Sequence, residues 1–170
     1  MYQTLDPKKI TELSVIRRSW FDSAYELTDN VNSYGLMTYK NLFRRTAVAV
    51  TSTRRWTFSR GEFLSRTLLI TDADGLPVGK AKRELFSTKT TLTLETGFIC
   101  EFSRPSLWSR CYVWEAPGCG KIMHIRGRLF SRTRKVYIDN TMAPESIVPL
   151  LIFFGTYIMI LRRRRKAAAH

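Results

Sequence analysis

Ile147-Val148-Pro149-Leu150-Leu151-Ile152-Phe153-Phe154-Gly155-Thr156-Tyr157-Ile158-Met159-Ile160-Leu161 is the stretch on which the fold turns. Only Pro149, Gly155, Thr156 and Tyr157 depart from bulky aliphatic, Phe or Met side chains. Pro149 falls in what would be the first turn of a helix, where its missing N–H does no harm. Pro144, Glu145 and Ser146 precede it as at a helix start, and the cations at 162–166 suit a helix C-terminus. The pattern predicts a helix over 145–162. A helix apolar on all sides must be enclosed by protein or by lipid. The apolar stretch is roughly 22 Å long at ~1.5 Å per residue, whereas a bilayer core is about 30 Å thick. A buried core helix is therefore expected. The alternative is a tail anchor in lipid, with the basic run on the cytoplasmic side.

Upstream of this segment lies a threefold repeat of about forty-four residues. Its anchors are Leu42-Phe43, Leu85-Phe86 and Leu129-Phe130, each preceded by a large apolar residue, Leu27, Ile70 or Trp114. An alternating stretch follows each pair: Val48 and Val50, Leu92 and Leu94, Val136 and Ile138. Phe58-Ser59-Arg60 in the second unit matches Phe102-Ser103-Arg104 in the third, and Arg17 takes the same place in the first. β-branched and aromatic residues alternate with period two, broken by turn residues such as Asp72-Ala73-Asp74-Gly75. Its counterparts are Asp29-Asn30-Val31-Asn32 and Glu115-Ala116-Pro117-Gly118. Each unit holds about four strands. In the second these fall near 57–60, 63–71, 76–84 and 88–95; in the third, near 101–104, 107–115, 120–128 and 132–139.

Twelve strands would close a barrel too wide for its own side chains to fill, since about eight suffice to fill one. The apolar helix is the missing filler. The expected fold is a mainly β, closed, twelve-stranded antiparallel barrel with the C-terminal helix along its axis. A propeller is the rival for a four-strand repeat, but it has no use for such a helix. Residues 1–12 read as a mobile arm or a short helix, and 13–166 as one domain. Ala167-Ala168-Ala169-His170 has the look of a cloning scar and carries no functional argument.

The chain of 170 residues is 44% hydrophobic, but its 28 Lys and Arg against 14 Asp and Glu leave a formal charge of +14. Acidic partners follow: anionic lipid, nucleic acid or an acidic protein. Cys100, Cys111 and Cys119 are odd in number and fit no zinc spacing, which favours a reducing compartment. The N-terminus is polar, with no apolar run of the kind a secretory signal needs, so no secretory signal is expected there. A cytoplasmic protein, peripheral at the membrane, is expected. Catalysis finds little support. His124 sits in a strand with no acid nearby in sequence. Asp72 and Asp74 fail as a calcium loop, because Gly75 comes too early and Arg83 stands at the twelfth position. No enzyme activity, metal or cofactor is expected.

The run from Leu69 through Asp72-Ala73-Asp74-Gly75 to Lys82, continuing into Leu85-Phe86-Ser87 and Leu92-Thr93-Leu94, resembles the LURP-one-related proteins. These are a branch of the tubby C-terminal-like superfamily, which includes the phospholipid scramblases. Their recurring unit is a hydrophobic strand, a D-x-x-G turn, a valine, a basic strand and a Leu-Phe-Ser turn. Tyr112 to Ile138 keeps the pattern with Pro117-Gly118-Cys119-Gly120 in the turn, and 146–161 is similar to the central helix of that family. The likeness covers about 13–165. It departs at 29–35, where a longer turn stands, and at the arginine run. The resemblance implies the barrel, and as ligand the head groups of anionic phospholipid or phosphoinositide.

Basic residues are the candidates for that role. With the anchor leucines Leu42, Leu85 and Leu129 facing inward, period two puts Lys80, Lys82, Arg126 and Arg128 on the outer face. Arg17, Arg60 and Arg104 recur in the three units. Arg162 and Arg163 open the basic cluster after the helix, where polybasic segments favour anionic membranes. Nucleic acid is the other class. Exposed Trp56, Phe58 or Trp108 beside arginines would favour base stacking, and buried aromatics under a basic face would favour head groups.

Overall fold

The structure is a computed structural model describing residues 1–19, 21, 23–41, 45–62, 65–127, 131–139 and 142–169. Twelve strands follow in order: β1 Glu12–Arg17, β2 Ala24–Thr28, β3 Ser33–Asn41, β4 Thr46–Thr51, β5 Arg55–Arg60 and β6 Thr67–Thr71, then β7 Pro77–Arg83, β8 Thr90–Leu94, β9 Ile99–Ser103, β10 Cys111–Ala116, β11 Gly120–Arg126 and β12 Thr133–Ile138. Every strand pairs antiparallel with its neighbours, and β1 pairs with β12, with Leu13 opposite Val136 and Val15 opposite Arg134. The sheet is thus a closed barrel and has no free edge. Four strands belong to each repeat.

Alternation decides which side chains face in. Trp56 and Phe58 of β5 are buried, as are Leu92 and Leu94 of β8 and Val136 and Ile138 of β12. The turns match their sequence. Asp72 Oδ1 accepts hydrogen bonds from the N–H groups of Asp74 and Leu76, both at 2.9 Å, and Gly75 supplies φ +80°.

A single 3₁₀ turn, Glu145–Ile147, leads into α1, Val148–Ala168. The helix begins near the expected place but runs about two turns past the predicted end at 162. Arg, Lys and Ala are good helix formers, and no Gly or Pro interrupts them. By length and composition α1 could cross a membrane, yet each of its side chains from Val148 to Leu161 that is not Pro149 is buried inside the barrel. Aromatic rings fill the bore. Phe58 lies 5.2 Å from Phe154 and 5.5 Å from Tyr157, and Phe102 lies 4.7 Å from Trp114. Trp114 Nε1 donates to the Leu151 carbonyl at 2.9 Å, tying the wall to the helix.

Two expectations differ. Leu85 does not face inward. It is 60% exposed, in the connection after β7, where Ala81 is the inward residue. Phe86 adopts φ +56°, which turns the chain out of the strand. Leu42 and Leu129 lie outside the described residues. Lys80 and Lys82 are nonetheless exposed, because Ala81 sets the same phase. Residues 1–11 contain no helix. A turn covers 7–9, and Gln3 N–H donates to the Ser33 carbonyl at 2.8 Å.

Because each strand connects to its neighbour, the connections alternate between two ends. The short turns after β2, β4, β6, β8 and β10 share the end where α1 enters, with Pro149 beside Tyr34 and Trp56. The connections after β1, β3, β5, β7, β9 and β11 share the end where α1 leaves. Tyr157 donates its hydroxyl to the Arg45 carbonyl there at 2.7 Å, and Arg162 Nη2 donates to Thr88 O and Thr90 Oγ1.

Candidate anion-binding site

The exit end of the barrel gathers arginines from strands far apart in sequence. Arg17, Arg60 and Arg83 each end a strand there, and Arg104 follows β9 directly. α1 adds Arg162 to Lys166 in their midst. A cleft of about 640 Å³ opens between the helix and the wall. Arg104, Arg110, Tyr112, Arg134, Arg162 and Arg163 line it, and no acidic side chain does so among the described residues. The volume is in the range of small-ligand pockets.

The guanidinium groups are held by rings and carbonyls. Arg162 lies 5.5 Å from the Tyr112 ring and 5.8 Å from the Phe102 ring. Arg104 lies 5.9 Å from the Tyr112 ring, Arg134 5.7 Å from Tyr25 and Arg164 4.5 Å from Tyr39. Such cation–π contacts position a cation without cancelling its charge. None of the ion pairs among the described residues involves Arg104, Arg134, Arg162 or Arg164. Arg104 Nε and Arg164 Nη1 are buried with no hydrogen-bond partner among those residues.

The electrostatics reflect this. Burial pulls the Arg162 guanidinium below its ordinary range, and Arg83 and Arg104 add to the effect while Tyr112 opposes it. Burial also lowers Arg165, with help from Arg60, Arg83 and Arg45. Arg134, only 5% exposed, is lowered by burial first and then by the charges of Arg163 and Arg17. Like charges thus crowd a partly dry site, and a bound anion would relieve them.

The structure divides the residues predicted from sequence. Arg104, Arg162 and Arg163 line the cleft, and Arg17 and Arg60 stand on the same rim. Lys80 and Lys82 lie on the outer wall, in a separate groove with Arg66 and Arg83. Arg126 is exposed on the wall beside the cleft, sharing Arg110 and Gly127 with it. Arg128 lies outside the described residues. Sequence reading missed Arg110, Tyr112 and Arg134. For Arg134 a signal existed: it keeps the inward phase of Val136 and Ile138 in β12.

His124 does acquire an acid partner, because the β11–β12 hairpin brings Asp139 Oδ2 to 2.7 Å from Nδ1. Its ring stacks on Tyr137 at 4.8 Å. Among the described residues no group of three or more His, Cys, Asp or Glu could hold a metal.

No protein-family profile and no curated protein matches the chain. Among solved structures, an X-ray structure of a protein from Arabidopsis thaliana is similar at 10% identity and a TM-score of 0.37. That match covers 96% of this chain and 98% of the plant protein.

Proposed function

We propose that this chain is a tubby-like, LURP-one-related module that binds anionic phospholipid or phosphoinositide head groups at the arginine-lined mouth of its barrel, without catalysing a reaction. The observation carrying the reading is the convergence of Arg104, Arg110, Arg134 and Arg162, which none of the ion pairs among the described residues involves, around an open cleft. Guanidinium groups match phosphate oxygens in pairs and stay charged at any physiological pH. The anionic leaflet of a cell membrane faces the cytoplasm, so a peripheral cytoplasmic location accompanies the proposal.

Vesicle flotation tests it. The protein should float with phosphatidylcholine vesicles containing phosphatidylserine or a phosphoinositide, and remain behind with phosphatidylcholine alone. Each basic residue near the surface contributes about 1 kcal/mol, or roughly fivefold in affinity. Arg104→Gln, Arg110→Gln and Arg163→Gln together should therefore weaken binding by about a hundredfold. Lys80→Gln and Lys82→Gln, on the wall, should cost less. Equal binding to neutral and anionic vesicles would refute the reading.

Nucleic acid remains the second reading on one observation. Trp108 is exposed between Arg104 and Arg110, although Trp56 and Phe58 are buried. A single-stranded oligonucleotide that binds more tightly than any vesicle at matched salt would favour it.

A further inference from the structure

We infer that the exit end of the barrel is a membrane-inserting face: apolar tips on its connections enter the acyl region of an anionic bilayer while the arginine mouth holds the phosphates. The barrel then docks end-on, with α1 along the membrane normal. This deepens the head-group reading and rests on it.

The exposed large side chains carry the inference. Phe21 is 97% exposed on the connection after β1. Leu85 and Phe86 are exposed on the connection after β7, Phe86 fully. Leu107 and Trp108 are 73% and 94% exposed on the connection after β9. All three exposed aromatic residues among the described positions thus stand at one end of the molecule.

Their placement suits a planar surface. The β1–β2 and β7–β8 connections are six strands apart in a ring of twelve, so they face each other across the rim. The tips are separate points around a cationic centre. They do not form the single contiguous patch that usually marks a protein interface. Trp and Phe are at home at the membrane interface, where rings enter lipid and neighbouring cations meet phosphate. Phe86 holds its exposed position with φ +56°, a conformation seldom adopted by a residue that is not Gly. The opposite end bears Asp29, Asp72, Asp74 and Glu95 in its turns against Arg54, so its turns offer an anionic surface more repulsion than attraction. Charge and aromatic tips therefore choose the same end, while the exposed side chains in the opposite turns, Val31 and Leu76, are aliphatic.

Insertion adds a component that salt does not screen. Burying one Phe or Trp side chain in hydrocarbon is worth about tenfold or more in partition. The test uses the full chain carrying Trp20→Phe, with phosphatidylcholine–phosphatidylserine vesicles brominated in the acyl chains. Trp108 emission should shift to the blue and be quenched, and the quenched part should vanish when Trp108→Phe is added. Phe86→Ser with Trp108→Ser should lower vesicle affinity about a hundredfold at high salt. Because both side chains are exposed, the melting temperature should not change. Vesicle binding without quenching, and with the double serine variant unaffected, overturns insertion and leaves the head-group reading standing. No binding to anionic vesicles at all overturns both. An oligonucleotide that shields Trp108 and blocks vesicle binding assigns the face to nucleic acid and overturns the inference.

Discussion

Gly155 shows how closely helix and wall approach. A Cβ built there would meet Trp114 Nε1 at 2.8 Å, Ile125 Cδ1 at 2.9 Å and Phe102 Cε2 at 3.1 Å. Glycine costs about 1 kcal/mol in a helix interior relative to alanine. Overpacking a filled core costs about 1–3 kcal/mol, so the clash should outweigh the gain in propensity. Gly155→Val should destabilise by about 3 kcal/mol, read from chemical denaturation. Gly155→Ala should cost less, and less again in a Trp114→Phe background, because that change removes the nearest atom. Equal costs in both backgrounds would show that Trp114 is not the obstacle.

Asp29 is a second residue whose role is local. Its Oδ1 accepts from the N–H groups of Asn32 at 2.6 Å and Val31 at 2.9 Å, and Oδ2 accepts from the Tyr34 hydroxyl at 2.7 Å. The Asn32 N–H first, and the Tyr34 hydroxyl next, hold its carboxyl down to about 2. A folded value below the unfolded one means that the ionised group stabilises the fold. That contribution is complete above about pH 4 and disappears as pH falls through about 2. Melts across this window should show wild-type stability falling more steeply than that of Asp29→Ala. Parallel curves would remove Asp29 from the acid sensitivity.

At the scale of elements, α1 is the core that the barrel encloses. Phe154 is fully buried, with Phe58 at 5.2 Å and Tyr157 at 6.0 Å. Phe154→Asp would place an unpaired carboxylate where no water reaches, a cost of several kcal/mol against a total stability of about 5–15 kcal/mol. The variant should lose its cooperative melt, as should a chain lacking residues 147–161. A truncated chain that still melts cooperatively near the parent temperature would contradict the helix-filled barrel. Cys100 belongs to the same interior, and burial pushes its thiol up to about 12, so it should be inert to thiol reagents in the folded protein.

For the whole molecule, topology turns a threefold repeat into an object with two unlike ends. Up-and-down connection sends every second loop to the same rim. The repeat therefore delivers Arg17, Arg60 and Arg104 to one place, and the helix arrives there last with its own arginines. One rim becomes cationic and studded with aromatic tips, and the other carries partly acidic turns in which Val31 and Leu76 are exposed. A charged end opposite an acidic end orients the molecule before contact, because fields of several charges reach about a Debye length, roughly 8 Å at physiological salt.

The sequence by itself determined the repeat, the strand count, the turns and the helix-filled barrel. Those features are written in local periodicity: two for Leu92 and Leu94, all-round apolarity for 147–161, Gly75 at a positive φ. The same periodicity assigned Lys80, Lys82 and Arg126 to the outside. It misplaced Leu85, because a Leu-Phe pair reads alike at the end of a strand and on a loop tip. It also gave no reason to join Arg104, Arg110 and Arg134 to Arg162 and Arg163, which come from two hairpins and a helix. Their meeting depends on closure of β1 onto β12 and on the direction in which α1 threads the bore. Which charges share a rim is a long-range property of the closed sheet, and only the tertiary structure decided it.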